Sequence, residues 1–495
     1  MNHPDDIRRV LIVAHGFPPV GGIGVQRPYK FTQYLPEYGW QPVVLTHDAK
    51  YSATWDASLL ESVSEVPIHR AVDPIIEVHA RNHKRRQAQK TLAAKTGSGD
   101  IDTTKHVTTS TTMANVTSDL TDTTATRSAG DREEAKRQIS AASETFSYIN
   151  KIKGWAFRVA KRLKDAVMIP DESVLWVPSA VNLGLKVLRS QPIDAIYSTS
   201  PPESSQLVAA ILSEKTGVPL IIDFRDPWIG NLHRKGKGIR HVIEQNLEAF
   251  AFSRAARIIT VTESFRAAFI ERYPQHRDKI FVVPNGYDAQ DFKISAAPVR
   301  DGSKMVIYYG GILYEKRSPR VFLQGLAKAL NDGRIPRDKI RVEFAGVFDY
   351  PGKTANYDEV MRLHLEDIVE VIGYLAHQEH VREMAAADIL LLIGDQTVGS
   401  EAYVPAKLYE YLGMGKPILA VTKTGESTRL IDMCHAGLVC DPVNPDKVAQ
   451  QLVSYFEKWQ EDRLSSWQHS PLASKYERKE QAHMLSDHLT AISLA

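Results

Sequence analysis

Short apolar, β-branched runs recur along this chain, separated by longer segments whose apolar positions repeat at helical spacing. That alternation predicts parallel sheets covered by helices, an α/β architecture. In the first half the predicted strands are VLIVA (10–14), PVVLT (42–46), IDAIYS (193–198), PLIID (219–223), RIITV (257–261) and IFVVP (280–284). The pattern breaks at a polar connection around 288–303. It restarts with MVIYYGG (305–311), VEFAG (342–346), VEVIG (369–373), ILLLI (389–393), PILAV (417–421) and GLVCD (437–441). Two doubly wound sheets of the same kind are therefore expected.

One stretch follows neither period. Residues 101–130 hold fourteen Ser or Thr and almost no large apolar side chain, and the basic run HKRRQAQK (83–90) precedes them. Such a composition buries too little surface to offset its ordering entropy, so 80–140 is read as a disordered insertion. Its Asp100-x-Asp102 and Asn115-x-Thr117 are read as chance matches. A metal motif needs a rigid scaffold, and a glycosylation site needs secretion. After it, residues 147–167 set Tyr148, Ile152, Trp155, Val159 and Leu163 opposite Lys151, Lys153, Arg158, Lys161, Arg162 and Lys164. This is a basic amphipathic helix, which either docks on the first sheet or lies on a membrane surface.

Composition narrows the function classes. Of 495 residues 43% are hydrophobic and 24% charged, as in ordinary globular proteins, which excludes a fibre or a wholly disordered chain. Sixty-one Lys and Arg against 59 Asp and Glu leave a net charge of +2, too little for a global field that would attract nucleic acid. Two cysteines, Cys434 and Cys440, support neither a disulfide framework nor a Cys-rich zinc site, and are read as buried small hydrophobes in a reducing compartment. The first nine residues, MNHPDDIRR, do not read as a signal peptide, and no run reaches the ~20 apolar residues of a spanning helix. A cytoplasmic protein is expected, with the inner membrane face as a peripheral location.

Several clusters fall where open α/β sheets bind ligands, at strand carboxyl ends. The first strand runs into HGFPPVGGIGVQR, where Gly21, Gly22 and Gly24 allow backbone amides to approach a ligand. As a dinucleotide fingerprint it is incomplete. The third small position is Arg27, whose bulk is expected to oppose close packing of the helix on the strand. STSPP (198–202) and DFRDPW (223–228) follow later strands, and Arg225 and Asp226 either pair locally or serve a ligand. In the second half, YYGGILYEKRSP (308–319) places Gly311, Lys316 and Arg317 at an expected helix start, a combination suited to a diphosphate. In VGSEAYVPAKLYEYLGMGKPILAV (398–421), Pro405 suits the first turn of a helix that Gly413 and Gly415 end. Glu410 either pairs with Lys407 three residues before it or accepts two ribose hydroxyls.

Taken in order, PPVGGIGVQRPYKF, STSPP, RDPW, PNGYD (284–288), YGGILYEKRSP and PAKLYEYLGMGKPIL resemble the family-4 glycosyltransferases with the GT-B fold. The resemblance implies two Rossmann-like domains facing across a cleft: 1–290 for the acceptor and 291–470 for the nucleotide sugar. The segment 471–495 would cross back to the first domain. It implies that Lys316 and Arg317 hold the donor diphosphate with Gly311 and Lys407, that Glu410 holds the ribose, and that Gly21 and Gly22 face the donor phosphates. The first glutamate of the family's Glu-x7-Glu signature falls at Ala402. Either Glu401 serves after a shift of the loop, or the amides of 401–404 do. Asp226 is expected to contact the acceptor and His15 the sugar.

The resemblance also implies retention of configuration, no metal and no cofactor beyond the nucleotide-sugar co-substrate. The expected partners are that donor, a carbohydrate or lipid-linked acceptor of bacterial-type surface polysaccharide or glycolipid synthesis, and an anionic membrane surface. The competing readings are a GT-B-fold sugar-nucleotide epimerase, which needs no acceptor, and a non-catalytic nucleotide-binding scaffold. A nicotinamide-dependent dehydrogenase fits less well because of Arg27 and the second phosphate cluster.

Overall fold

The computed structural model describes residues 8–48, 55–56, 59–77, 168–232, 236, 238–293 and 298–494. Chain contacts gather residues 1–73 and 175–495 into one compact unit and 74–174 into another. The basic segment 147–167, most of the 80–140 insertion, and with them Asp100, Asp102 and Asn115, lie outside the described residues.

The larger unit contains two parallel sheets. The first is built from β1 (Arg8–Val13), β2 (Trp40–His47), β3 (Ile68–Ala71), β4 (Ala195–Ser200), β5 (Leu220–Phe224), β6 (Arg257–Thr260) and β7 (Ile280–Val282), in the order β3-β2-β1-β4-β5-β6-β7. The second comprises β8 (Met305–Ile312), β9 (Ile340–Val347), β10 (Val369–Gly373), β11 (Ile389–Ile393), β12 (Ile418–Val421) and β13 (Gly437–Cys440), in the order β10-β9-β8-β11-β12-β13. Each order reverses once, between β1 and β4 and between β8 and β11, and such switch points open a crevice at the strand carboxyl ends. β3 was not expected. Its sequence, IHRA, is half polar because it is an edge strand whose first three residues are only partly buried.

Both faces of each sheet are covered, so the strands are continuous apolar runs rather than alternating ones. Val10, Ile12, Phe31 and Trp40 form one core of the first sheet together with Leu485 and Leu489 of the helix Arg478–Ser493. The end of the chain thus packs against its beginning. Cys434 and Cys440 are both buried, and burial raises each thiol to about 11, so they behave as inert core groups. Among the described residues no helix is long and apolar enough to cross a membrane.

Three local expectations are corrected. Arg27 does not keep its helix away from the sheet; it is buried within the contact. Its Nε donates to Asp223 Oδ2 at 2.7 Å, and its remaining nitrogens donate to Pro284 O at 2.8 Å and Val283 O at 2.9 Å. The bulk is accommodated because every polar end of it is bonded. Lys316 and Arg317 do not start a helix: Tyr314 and Arg317 exchange backbone bonds in a tight turn, and the helix Arg320–Asn331 begins after Pro319. Gly413 does not end its helix, which runs Ala406–Met414 with Pro405 as its N-cap and Gly415, at φ 71°, as its C-cap. A Cβ at Gly413 would stand 2.3 Å from Phe292 and 2.6 Å from Tyr287. Gly413→Ala is therefore expected to destabilise the second half by about 1–3 kcal/mol through overpacking, read as a lowered thermal midpoint; an unchanged midpoint would show that the two rings can yield.

Candidate functional site

At the second switch point Gly310 and Gly311 stand near the carboxyl end of β8, and the side chains of three other elements close on them. Lys407, on the first turn of the helix Ala406–Met414, donates to the Tyr309 hydroxyl at 2.9 Å and lies 4.1 Å from that ring's centroid. Burial and the charge of Arg317 lower its ammonium to about 7. Arg317 lies over the Tyr314 ring at 5.1 Å, and its Nε is buried without a hydrogen-bond partner. The Tyr314 hydroxyl in turn donates to Asp395, whose other oxygen accepts the Thr397 amide at 2.7 Å. The turn carrying Arg317 is thus braced from below while its guanidinium keeps unused donors.

Glu410, one turn beyond Lys407, does not form the ion pair with it. Its carboxylate stands 4.0 Å from His380 Nε2, and burial raises its carboxyl above the usual range while His377 and Lys407 draw it back. His380 shares a 2.7 Å hydrogen bond with the Tyr308 hydroxyl, and burial lowers its imidazole to about 4, so it is neutral near pH 7. It fills the space above Gly310, where a Cβ would lie 2.0 Å from its ring.

Glu401 occupies a short 3-10 turn, and its carboxylate accepts the Gly399 amide at 3.1 Å. Of the amides at 401–404, those of Ala402 and Tyr403 are bonded to Gly399 O and Ser400 O. Glu401 still borders a cavity of about 160 Å³ shared with Tyr314, Arg317, Tyr403 and Lys423. A larger pocket of about 690 Å³ brings Lys316, Gln396 and Tyr403 of the second half together with Trp228, Leu232 and His241 of the first. That volume is within the range of small-molecule sites. The two halves are tied beside it: the Leu232 amide donates to the Tyr403 hydroxyl at 3.1 Å, and Ser264 donates from N and Oγ to Glu426 Oε1, each at 2.7 Å.

In the first half His15 borders a separate pocket of about 160 Å³ with Gly24, Thr199, Pro201 and Arg225. Its Nε2 is 2.9 Å from Asp73, and its ring stacks on His47 with centroids 4.3 Å apart. Arg225 serves the framework, donating to Ser200 O at 3.0 Å, to Pro201 O at 2.6 Å and to Gly24 O of the glycine loop. Asp226 is half-buried, and its charge acts on Arg225 and on the Tyr403 hydroxyl across the cleft. Gly21 and Gly22 precede the helix Ile23–Tyr34; Gly22, at φ 104°, is exposed with open space where a Cβ would be. Sequence reasoning missed Asp73, Tyr308, Tyr309 and His380. The only written signal was two tyrosines before a glycine pair. Among the described residues no three His, Cys, Asp or Glu side chains are grouped to hold a metal ion.

Two sheets with matching switch points, joined by a chain that returns to the first, define a GT-B-fold protein. Residues 130–291 match the family described as Glycosyltransferase Family 4, and residues 303–458 match Glycosyl transferases group 1. The chain belongs to the family-4, GT-B-fold glycosyltransferases. Solved structures share this fold at low identity. HepE of Anabaena, solved with UDP-glucose, is 14% identical with a TM-score of 0.53, over 98% of this chain and 99% of that one. A glycosyltransferase from Rickettsia africae is 10% identical with a TM-score of 0.56, over 98% of each chain. The lipopolysaccharide outer core galactosyltransferase WaaB is 13% identical with a TM-score of 0.51, over 97% of this chain and 99% of that one. No curated protein sequence matches the chain.

Proposed function

We propose that this glycosyltransferase takes its sugar from a nucleoside-diphosphate sugar held by the second half and passes it, with retention and without a metal ion, to an acceptor hydroxyl entering from the first. The observation that carries the reading is the convergence of Lys407 and Arg317 at the Gly310–Gly311 end of β8, one helical turn from Glu410. Two cations and open backbone suit a diphosphate, and a carboxylate beyond them suits a ribose. The chemical task is to stabilise the departing nucleoside diphosphate. Arg317, whose Nε keeps an unused donor, and Lys407 would do so as preorganised charge. Lys316 would add charge at the mouth of the larger pocket.

The acceptor would lie in that pocket, against Trp228 and near Asp226, with His15 and the glycine loop toward the donor sugar. Retention places the acceptor hydroxyl on the sugar face that the diphosphate leaves, so orientation supplies much of the rate. A uridine donor is favoured by HepE, whose structures hold UDP and UDP-glucose. A role in surface polysaccharide or glycolipid synthesis is favoured by the likeness to WaaB. Attachment to an anionic membrane would rest on 147–167, outside the described residues.

Calorimetric titration with UDP, GDP and ADP, with and without EDTA, tests the reading. One nucleotide, with UDP first in order, is expected to bind equally well in EDTA. If a folded protein binds none of the three, the scaffold reading should lead; a product that is an altered sugar nucleotide without transfer would favour an epimerase.

A further inference from the structure

The carboxyl ends of three neighbouring strands bring side chains to one point in the first half. His15 lies two residues beyond β1, His47 ends β2, and Asp73 lies two residues beyond Ala71, the last residue of β3 and the register partner of His47. The edge strand that the apolar pattern missed is therefore the one that carries Asp73 here. The backbone of His15 is pinned: its N–H donates to Ser205 Oγ at 3.3 Å, and its carbonyl accepts from Thr46 Oγ1 at 2.7 Å. Its ring stacks on His47, stands at right angles to Trp176 with centroids 5.1 Å apart, and bonds through Nε2 to Asp73 Oδ2 at 2.9 Å.

This arrangement leaves one ring atom over. Asp73 is buried, and its carboxylate accepts the hydrogen bond of Nε2–H, which leaves the lone pair on Nδ1. Among the described residues Nδ1 has no hydrogen-bond partner, and the side chain keeps 12% of its surface open. His47 brings no charge to the stack, because burial above all lowers its imidazole to about 4, and its Nδ1 donates to the His15 carbonyl. The cavity of about 160 Å³ beside His15 has a second polar atom to spare: the hydroxyl of Thr199, on β4, is buried without a partner. Arg225, on the same cavity, already directs its three nitrogens to the carbonyls of Ser200, Pro201 and Gly24. An accepting nitrogen beside a free hydroxyl is suited to the hydroxyls of a sugar.

Resting on the donor-site reading above, we propose that Asp73 is a positioning residue for the transferred sugar: it fixes His15 in the tautomer whose Nδ1 accepts a hydrogen bond from one of that sugar's hydroxyls. His15 touches the sugar, and Asp73 acts only through it. Without the carboxylate the imidazole is free to carry its proton on Nδ1, where it can no longer accept, and the ring loses the bond that holds its angle. The backbone anchors and the stack on His47 remain in that case. The framework then changes little while recognition of the sugar suffers.

Calorimetric titration with UDP and with UDP-glucose separates the sugar from the rest of the donor, and is run on the native protein, His15→Ala, Asp73→Asn and the double variant. UDP is expected to bind all of them alike. UDP-glucose should lose about tenfold in affinity in each single variant, the worth of one hydrogen bond. The double variant should lose no more, because the second change removes nothing that the first has left. Nitrogen-15 NMR of the histidine-labelled protein, with the His15 signals assigned by their loss in His15→Ala, should show Nε2 protonated and Nδ1 bare, and a shift towards Nδ1–H in Asp73→Asn. Equal losses for UDP and UDP-glucose, additive losses, unchanged UDP-glucose binding in either single variant, or a native His15 protonated on Nδ1 overturns the inference while leaving the donor site standing. Should Asp73→Asn not fold, His15→Ala and the native tautomer decide. If neither UDP nor UDP-glucose binds, the GDP and ADP pairs are titrated in the same way, and failure of all three overturns the donor-site reading and this inference with it.

Discussion

Glu410→Ala and Arg317→Ala are each expected to lower kcat/KM for sugar transfer by about 10²–10³-fold and to weaken nucleotide binding, with little change in thermal midpoint. Removing Glu410 would take away the carboxylate proposed to accept two ribose hydroxyls, and Tyr308 and His380, bonded to each other, would not replace it. Removing Arg317 would take away the cation that the Tyr314–Asp395 pair braces. The arginine makes no side-chain hydrogen bond through Nε, so folding has little to lose. Arg317→Lys should recover part of the activity as a point charge without the planar fork. Steady-state kinetics beside calorimetry checks this, and native affinity in either alanine variant would remove that residue from the donor site.

Arg27→Met is expected to be the most destabilising single change in the first half, at about 3–5 kcal/mol, which for a unit of this size lowers the thermal midpoint by about 10 °C. It would strand Asp223, which is fully buried and otherwise accepts a 2.5 Å bond from the Tyr197 hydroxyl, and would orphan the carbonyls of Val283 and Pro284. Arg27→Met combined with Asp223→Leu should regain most of the loss, since well-packed apolar groups often replace a buried pair without cost. Trp40, Trp176 and Trp228 are buried in this half and report its unfolding by fluorescence. A midpoint within a degree of the native one would mean that the pair is replaceable framework.

Most strands were legible because both faces of each sheet are covered: fully buried runs such as ILLLI at 389–393 have no other stable place. β3 escaped because an edge strand with partly exposed residues needs no apolar run. The groups of the candidate site that stand beside glycines and prolines, Gly311, Lys316, Arg317, Lys407 and Glu410, were marked by those neighbours. Their exact settings were not. The turn at 314–317 depends on a bond between Tyr314 and Asp395, 81 positions apart, and the surroundings of Glu410 depend on Tyr308 and His380, 72 apart. Arg27 misled for a related reason: a bulky cation beside a strand reads as an obstacle until its partner, 196 positions away, is known.

The return of the helix Arg478–Ser493 to the first sheet orders events during synthesis. Leu485 and Leu489 complete the core formed by Val10, Ile12 and Trp40, and the Trp40 indole donates to Thr490 at 3.3 Å. While the ribosome is still making the second half, that apolar face of the first sheet is covered only in part, by the helix Ile23–Tyr34. Domains emerging from the ribosome usually fold in sequence, the earlier before the later. Here the earlier half cannot be finished until residues 478–493 have been made, and a chain released before residue 478 would leave part of that core open as an adhesive surface.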